Sequence, residues 1–272
     1  MKKVLGLLLM LCIGIPAYAS VTVSPTRIEI NANKIKNNYV TAAVEVKGDN
    51  SGPVRFRAYP GYFKISDKSE MVMLESNGDP HDVSDKIRFV PSEFTVAPGK
   101  AQKLRVNIAN IKSLPDGESR AILYLEDVNV KEMNVPNTSG IGAQLLLKTR
   151  VGVPVYIDKG NFKKKADVET FNIVKGADGL YTEAKIVSSG NSKVRYSGTY
   201  QIIQGKKLVC EYPIDGKVVG DNSSYVAKQK IETQKITGAG DYTIRMVLSY
   251  FDENGNRKNI KKDAILKITG EI

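Results

Sequence analysis

Gln102-Lys103-Leu104-Arg105-Val106-Asn107-Ile108 sets Leu104, Val106 and Ile108 on one face of an extended chain and Lys103, Arg105 and Asn107 on the other. Successive side chains of a strand point to opposite faces, so this is the pattern of a strand with one face in a core and one in water. Pro98-Gly99, just before it, supplies a turn. Outward from this stretch, short β-branched or aromatic runs separated by Gly, Pro, Asn and Asp clusters recur along nearly the whole chain. Helical periodicity is almost absent. In the first half the runs predict strands at Val21 to Ile30, Tyr39 to Val46, Val54 to Phe63, Ile87 to Val90, Gln102 to Ile108, Arg120 to Asp127 and Ala143 to Val155. That number of strands in about 135 residues fits one immunoglobulin-like sandwich.

After Val153 to Ile157 come Asp158-Lys159-Gly160-Asn161 and the lysine run Lys163 to Lys165, which read as a connection between domains. The second half repeats the texture, with strands near Val168 to Val174, Tyr181 to Val187, Val194 to Gln201, Lys207 to Tyr212, Asp241 to Phe251 and Asp263 to Ile268. Ala177-Asp178-Gly179, Gly190-Asn191 and Glu253-Asn254-Gly255 mark tight turns. Residues 221–236 are polar with scattered apolar positions and leave room for a short helical turn. The expected organisation is all-β: an N-terminal immunoglobulin-like domain over residues 20–157 and a C-terminal β-sandwich over 158–272.

The start of the chain predicts its compartment. Lys2 and Lys3 precede an apolar run from Val4 to Ile15, and Ala17-Tyr18-Ala19 has the small-x-small pattern of a signal-peptide cleavage site. About a dozen apolar residues are fewer than the roughly 20 that a membrane-spanning helix needs, so residues 1–19 are expected to be removed on export. No later stretch is apolar enough to span a bilayer, so stable membrane insertion is not expected. Cys12 leaves with the signal peptide and Cys210 alone remains, so the fold must stand on packing without disulfides. The formal charge of +11 is spread over both halves with acids interspersed. That distribution argues against a phosphate-tracking stripe, and with export it disfavours nucleic acid as a partner.

Catalytic chemistry is poorly provided for. A metal site or a nucleophile-base pair draws on His, Cys or clustered carboxylates, and the chain has one His and two Cys. His81 sits in the turn-like Gly78-Asp79-Pro80-His81-Asp82, where a loop histidine is the plainer reading. Cys210, in Leu208-Val209-Cys210-Glu211-Tyr212, reads as a strand core residue. There is no GxxxxGK, no GxGxxG opening a helix and no GxSxG. Asp252-Glu253 stands in a Gly/Asn turn, where solvation explains it. A carboxylate pair formed across strands is the one enzymatic arrangement that sequence spacing leaves open.

Three ordered blocks carry a resemblance. They are Thr95-Val96-Ala97-Pro98-Gly99-Lys100-Ala101-Gln102-Lys103-Leu104-Arg105-Val106, Leu114-Pro115-Asp116-Gly117-Glu118-Ser119-Arg120-Ala121-Ile122-Leu123-Tyr124-Leu125-Glu126-Asp127-Val128 and Gln144-Leu145-Leu146-Leu147-Lys148-Thr149-Arg150-Val151-Gly152-Val153-Pro154-Val155-Tyr156. With Ser24-Pro25-Thr26-Arg27-Ile28 near the start, they resemble the PapD-like periplasmic chaperones of the chaperone-usher family. Ser189-Gly190-Asn191-Ser192-Lys193-Val194-Arg195 followed by Gly198 resembles a turn and strand of that family's second domain more loosely.

The resemblance implies two immunoglobulin-like sandwiches in an L- or boomerang-shaped arrangement, residence in the periplasm and no cofactor. It implies pilus or fimbrial subunits and an outer-membrane usher as partners. It also implies a mechanism. A subunit sandwich that lacks a strand exposes an apolar groove and an unpaired sheet edge, and the chaperone lends a strand to that edge. Here the donor would begin near Ile141, with Ala143, Leu145 and Leu147 on one face, although the same alternation suits a strand serving its own core. The family's inter-domain cleft holds two basic residues that anchor the subunit's terminal carboxylate. Arg27 matches the first, and the lysine expected second falls at Gly152. Arg150, two residues earlier and on the same strand face, is the nearest substitute, and its guanidinium suits bidentate capture of a carboxylate. A rival reading is a secreted structural or adhesin subunit built of similar domains.

Overall fold

The computed structural model describes residues 21–49, 52–76, 78–129, 131–135 and 143–269, with the backbone alone at 131–135, 143–145 and 147. The expected signal peptide, residues 1–19, and Ile141 lie outside the described residues. The first half forms β1 (Val21–Ser24), β2 (Ile28–Asn31), β3 (Tyr39–Gly48), β4 (Val54–Ile65), β5 (Met71–Leu74), β6 (Ile87–Val90), β7 (Glu93–Val96), β8 (Ala101–Ala109), β9 (Gly117–Asp127), β10 (Lys131–Val135), β11 (Ala143–Leu147) and β12 (Arg150–Lys159). The second half forms β13 (Ala166–Gly176), β14 (Gly179–Ser188), β15 (Val194–Gln204), β16 (Lys207–Val219), β17 (Ser224–Lys230), β18 (Gly240–Phe251) and β19 (Arg257–Ile268). Among the described residues the helical elements are four single 3-10 turns, and no helix is long and apolar enough to cross a membrane.

Two β-sandwiches result. In the first, a sheet ordered β1-β3-β8-β6 faces one ordered β2-β12-β9-β4-β5, with β7 also paired to β4. The alternation in β8 does what its pattern dictates: Leu104, Val106 and Ile108 are fully buried between the sheets. Each such burial contributes about 1.5–3 kcal/mol before ordering costs. In the second, β13-β14-β17 faces β16-β15-β18-β19 around its own core of Val168, Ile186, Tyr242, Ile244 and Met246. No strand pairing joins the two groups among the described residues, and we place the division between Lys159, which ends β12, and Ala166, which begins β13.

Three departures from the sequence reading have local causes. The run Val21 to Ile30 is two strands: β1 pairs antiparallel with β3, whereas β2 crosses to the other sheet and pairs parallel with β12. Pro25 has no N–H for a ladder, so the break falls there. The run Ala143 to Val155 divides at Lys148-Thr149 into β11 and β12, and β11 pairs with β10 as a separate two-stranded sheet. Within 221–236 the helical turn is confined to Thr233–Lys235, and Ser224–Lys230 is a strand. That strand, β17, puts Val226, Lys228 and Lys230 in solvent, so its apolar side is thin.

Strand β9 is buried along almost its whole length on both faces. Ala121, Leu123 and Leu125 enter the sandwich core, while Ile122 and Tyr124 join Phe63 and Tyr156 in a second apolar cluster on the sheet's outer face. A strand covered on both sides reads as the unbroken run Ala121-Ile122-Leu123-Tyr124-Leu125 rather than as an alternation.

The first residues of β9 carry the junction between the sandwiches. Glu118 is buried, and its Oε2 lies 3.0 Å from Lys193 Nζ and accepts from the Lys193 backbone N–H at 3.3 Å. Arg120 is buried beside it, 3.5 Å from Glu118, and pairs with Asp221 of the second sandwich. Burial alone would lower the Arg120 guanidinium, but the carboxylates of Glu118 and Asp221 outweigh it and hold it above its ordinary value. Ser192 donates to Asp158 at 2.6 Å, and Lys164 Nζ reaches the same carboxylate at 2.6 Å. Backbone bonds support these: the Glu118 N–H donates to the Asn191 carbonyl at 3.0 Å. Gly117 has φ +103°, and a Cβ there would lie 2.8 Å from that carbonyl. The approach therefore requires glycine.

Deleting one member of such a buried set leaves the others charged and unpaired. Glu118→Ala is expected to cost about 3–5 kcal/mol, read as a lowered urea midpoint. Replacing Glu118, Arg120 and Lys193 together by apolar residues of similar volume should cost less than that single change.

Candidate functional site

A cleft of about 590 Å³ lies between the sandwiches, lined by Arg27 and Glu29 on one side and Lys193, Arg195, Tyr250 and Arg257 on the other. A second space of about 340 Å³ shares Arg27 and Arg195 and adds Met71, Gly152, Pro154 and Tyr156. Arg27 is thus in the cleft. It sits in the short link between β1 and β2, where the chain changes sheets, and its Nε donates to Glu29 Oε1 at 3.2 Å.

Arg150 is placed differently. Its guanidinium lies 4.1 Å from the centroid of the Tyr124 ring and donates to the Tyr59 hydroxyl at 3.2 Å. Tyr59 in turn donates to Glu126 at 2.8 Å, and Lys148 pairs with Glu126 at 2.7 Å. Arg150 is absent from the lining of both spaces. It shares a strand face with Gly152 but stands about 7 Å further from the junction at the strand rise, with its fork already engaged.

Gly152 does line the second space. A Cβ at that position would come within 2.6 Å of Ile122 Cδ1, so any side chain would have to push Ile122 aside. Tyr156, further along β12, lies under Lys193, whose Nζ is 3.5 Å from the ring centroid. Two residues that the sequence did not single out therefore matter here, Glu29 and Arg195. Each stands two positions from a cation of the same cleft, Arg27 or Lys193, and a spacing of two keeps residues on one side of an extended chain. Nothing in that spacing says that the two chains face one another.

The expected donor residues Ala143, Leu145 and Leu147 all fall in β11, paired in register with Val135, Met133 and Lys131 of β10. Among the described residues β11 pairs with β10 alone, so its other edge carries no ladder. Among the described residues the adjoining edge of β12 likewise has no ladder partner from Arg150 to Pro154, because β2 meets β12 only from Val155 to Asp158. One lane thus runs from Ala143 to Pro154, and β2 occupies its far end with Arg27 at the head of that strand.

The other candidate residues have structural roles. His81 Nδ1 lies 2.9 Å from the Glu118 carbonyl, tying its loop to β9. Cys210 is half-buried, with Sγ 2.9 Å from the Tyr212 hydroxyl. Among the described residues no group of three His, Cys, Asp or Glu is placed to hold a metal ion.

No family model and no curated protein matches the chain. Solved structures do resemble it. The YadV chaperone aligns at 15% identity and TM-score 0.46, over 91% of this chain and 100% of that one. The CsuC–CsuE chaperone-tip adhesion subunit pre-assembly complex from the archaic chaperone-usher Csu pili of Acinetobacter baumannii aligns at 15% and 0.45, over 89% and 98%. The Pseudomonas aeruginosa CupB2 chaperone aligns at 14% and 0.43, over 90% and 100%.

Burial, and then the Glu118 carboxylate, push the Tyr156 phenol up to about 12. An unfolded tyrosine ionises near 10. The unfolded chain therefore loses this proton first, and the stability held in neutral Tyr156 is complete below about pH 10 and lost as pH rises towards 12. Tyr156→Phe should flatten part of that alkaline decline and remove one late-titrating phenolate from the ultraviolet absorbance. Loss of a phenolate that titrates near pH 10, in place of a late one, would mean that Tyr156 is open to water.

Proposed function

We propose that this chain is a periplasmic chaperone that holds pilus or fimbrial subunits by lending them a strand, and passes them to an outer-membrane usher. The observation that carries the reading is the unpaired lane along β11 and β12 with Arg27 at its end. A guest strand in that lane takes the direction of β2, which is parallel to β12, so its C-terminus meets Arg27. A terminal carboxylate there accepts charge-assisted hydrogen bonds from a guanidinium. Between the two edges of the hairpin, β11 is the donor. Its Ala-Gln-Leu-Leu-Leu is apolar, whereas β10 carries Lys131 and Glu132, the kind of charge that discourages pairing at an edge. Leu145 and Leu147 set into a guest's groove contribute about 1.5–3 kcal/mol each before ordering costs.

The sequence blocks resembling PapD-like chaperones and the expected export segment agree with this reading. The rival reading, a surface structural or adhesin subunit, differs in where the protein resides.

Purification from periplasm, with identification of what co-purifies, tests the proposal directly. Pilus subunits in the eluate support it, and recovery of the chain on the cell surface supports the rival. Arg27→Ala is expected to lower subunit capture at least tenfold, on the scale of a hydrogen bond to a charged group, with an unchanged circular dichroism spectrum. Normal capture by that variant removes Arg27 from the site. Leu145→Asp with Leu147→Asp should abolish capture while the β-sheet spectrum is retained.

A further inference from the structure

Glu29 Oε1 sits where three cations converge. Arg27 Nε is 3.2 Å away, Lys193 Nζ 3.8 Å and Arg195 guanidinium nitrogen 4.0 Å. Lys193 is already committed to Glu118 at 3.0 Å and is 3% exposed. Arg195 is not so committed. Its side chain is 39% exposed, Glu29 is the carboxylate found beside it, and it lines both cleft spaces together with Arg27. On β12, Gly152 offers no charge, and Ile122 crowds the space its side chain would need.

From this we infer that the carboxylate site is built across the two sandwiches, from Arg27 on one and Arg195 on the other, and that Glu29 occupies it in the free chain. The inference rests on the reading of the cleft as the seat of a guest's C-terminus. Its ligand is the free α-carboxylate of an extended peptide lying along β12. The Glu29 carboxylate presents the same two oxygens as that terminus and meets the same guanidinium donors. Two carboxylates side by side in the cleft would repel each other and share the attraction of the same cations, so the guest's carboxylate enters most favourably as Glu29 turns away. Glu29 is 46% exposed on its side chain and free to do so. It therefore acts as a resident competitor that lowers affinity for termini and keeps two like charges from facing each other in the empty cleft. Arg195 is thus a binding and specificity residue, and the cation it supplies belongs to the sandwich that does not lend the strand.

The test uses the mature chain and two probes, an N-acetylated eight-residue peptide of alternating threonine and valine with a free C-terminal carboxylate, and its C-terminal amide. Each carries a fluorophore at the N-terminus for anisotropy titration. The wild type is expected to prefer the acid over the amide by roughly three- to tenfold, the range for partly exposed charge-assisted contacts. Arg195→Ala should erase most of that preference without changing amide affinity, and Arg195→Lys should restore part of it. Glu29→Gln should raise affinity for the acid several-fold and leave the amide unchanged. An acid-to-amide ratio that survives Arg195→Ala, or one that Glu29→Gln does not move, overturns the inference while leaving strand lending intact. Failure of both peptides to bind the wild type overturns strand lending, and this inference with it. Thermal unfolding of each variant at the wild-type temperature confirms that the cleft alone has changed.

Discussion

The buried carboxylate of Glu118 is the point on which the two halves of this molecule depend. It enters at the start of the most deeply buried strand of the first sandwich and meets Lys193 of the second, with Arg120 and Asp221 completing the set. Charges taken out of water contribute little net stability, but none can leave alone without stranding its partners. Such a set acts on geometry more than on stability. It fixes how the second sandwich meets β2 and β12, and so creates the cleft in which Arg27 and Arg195 face the same oxygen.

The sheet edge follows from how β2 is built. Pro25 ends the first strand early, the chain changes sheets, and only four residues remain to pair with β12. Had the run Val21 to Ile30 stayed one strand in that sheet, its ladder would have extended along β12 and closed the lane. A short strand, placed by a missing N–H, thus leaves backbone donors and acceptors exposed beside a cluster of aromatic side chains. Natural sheets usually cover such an edge or load it with charge. Here β10 carries the charge and β11 does not.

Much of the fold was legible because strands with one wet face advertise themselves. Leu104, Val106 and Ile108 alternate with polar residues, and burial follows the alternation. The apolar run of β9 was equally plain as a strand, although its burial on both faces could not be told from the run alone. β17 and β5 escaped the sequence, the first for its thin apolar side and the second although Met71-Val72-Met73-Leu74 is apolar throughout. β17 is a lysine-bearing edge, and β5 exposes all four of its side chains. At the site, Arg27 was singled out only through the resemblance carried by Ser24-Pro25-Thr26-Arg27-Ile28. The partners of that arginine did not show, because Glu29 meets Arg195 across more than 160 positions and only the docked sandwiches bring them together. Arg150 looked equivalent to Gly152 by strand period, yet Tyr59 and Tyr124 engage its guanidinium first.

The junction is also stiff for a reason separate from its charges. Ser69, in the turn between β4 and β5, exchanges two hydrogen bonds with the backbone of Val218, one given and one received. Asn33 makes a similar reciprocal pair with Gly160, on the connecting segment itself. The flanks are thus hydrogen-bonded and the centre ion-paired, so turning one sandwich on the other would break several contacts at once. On the proposed reading, a strand laid along β11 and β12 would therefore lie at one fixed angle to the second sandwich, which would give its pose as well as its surface to be recognised.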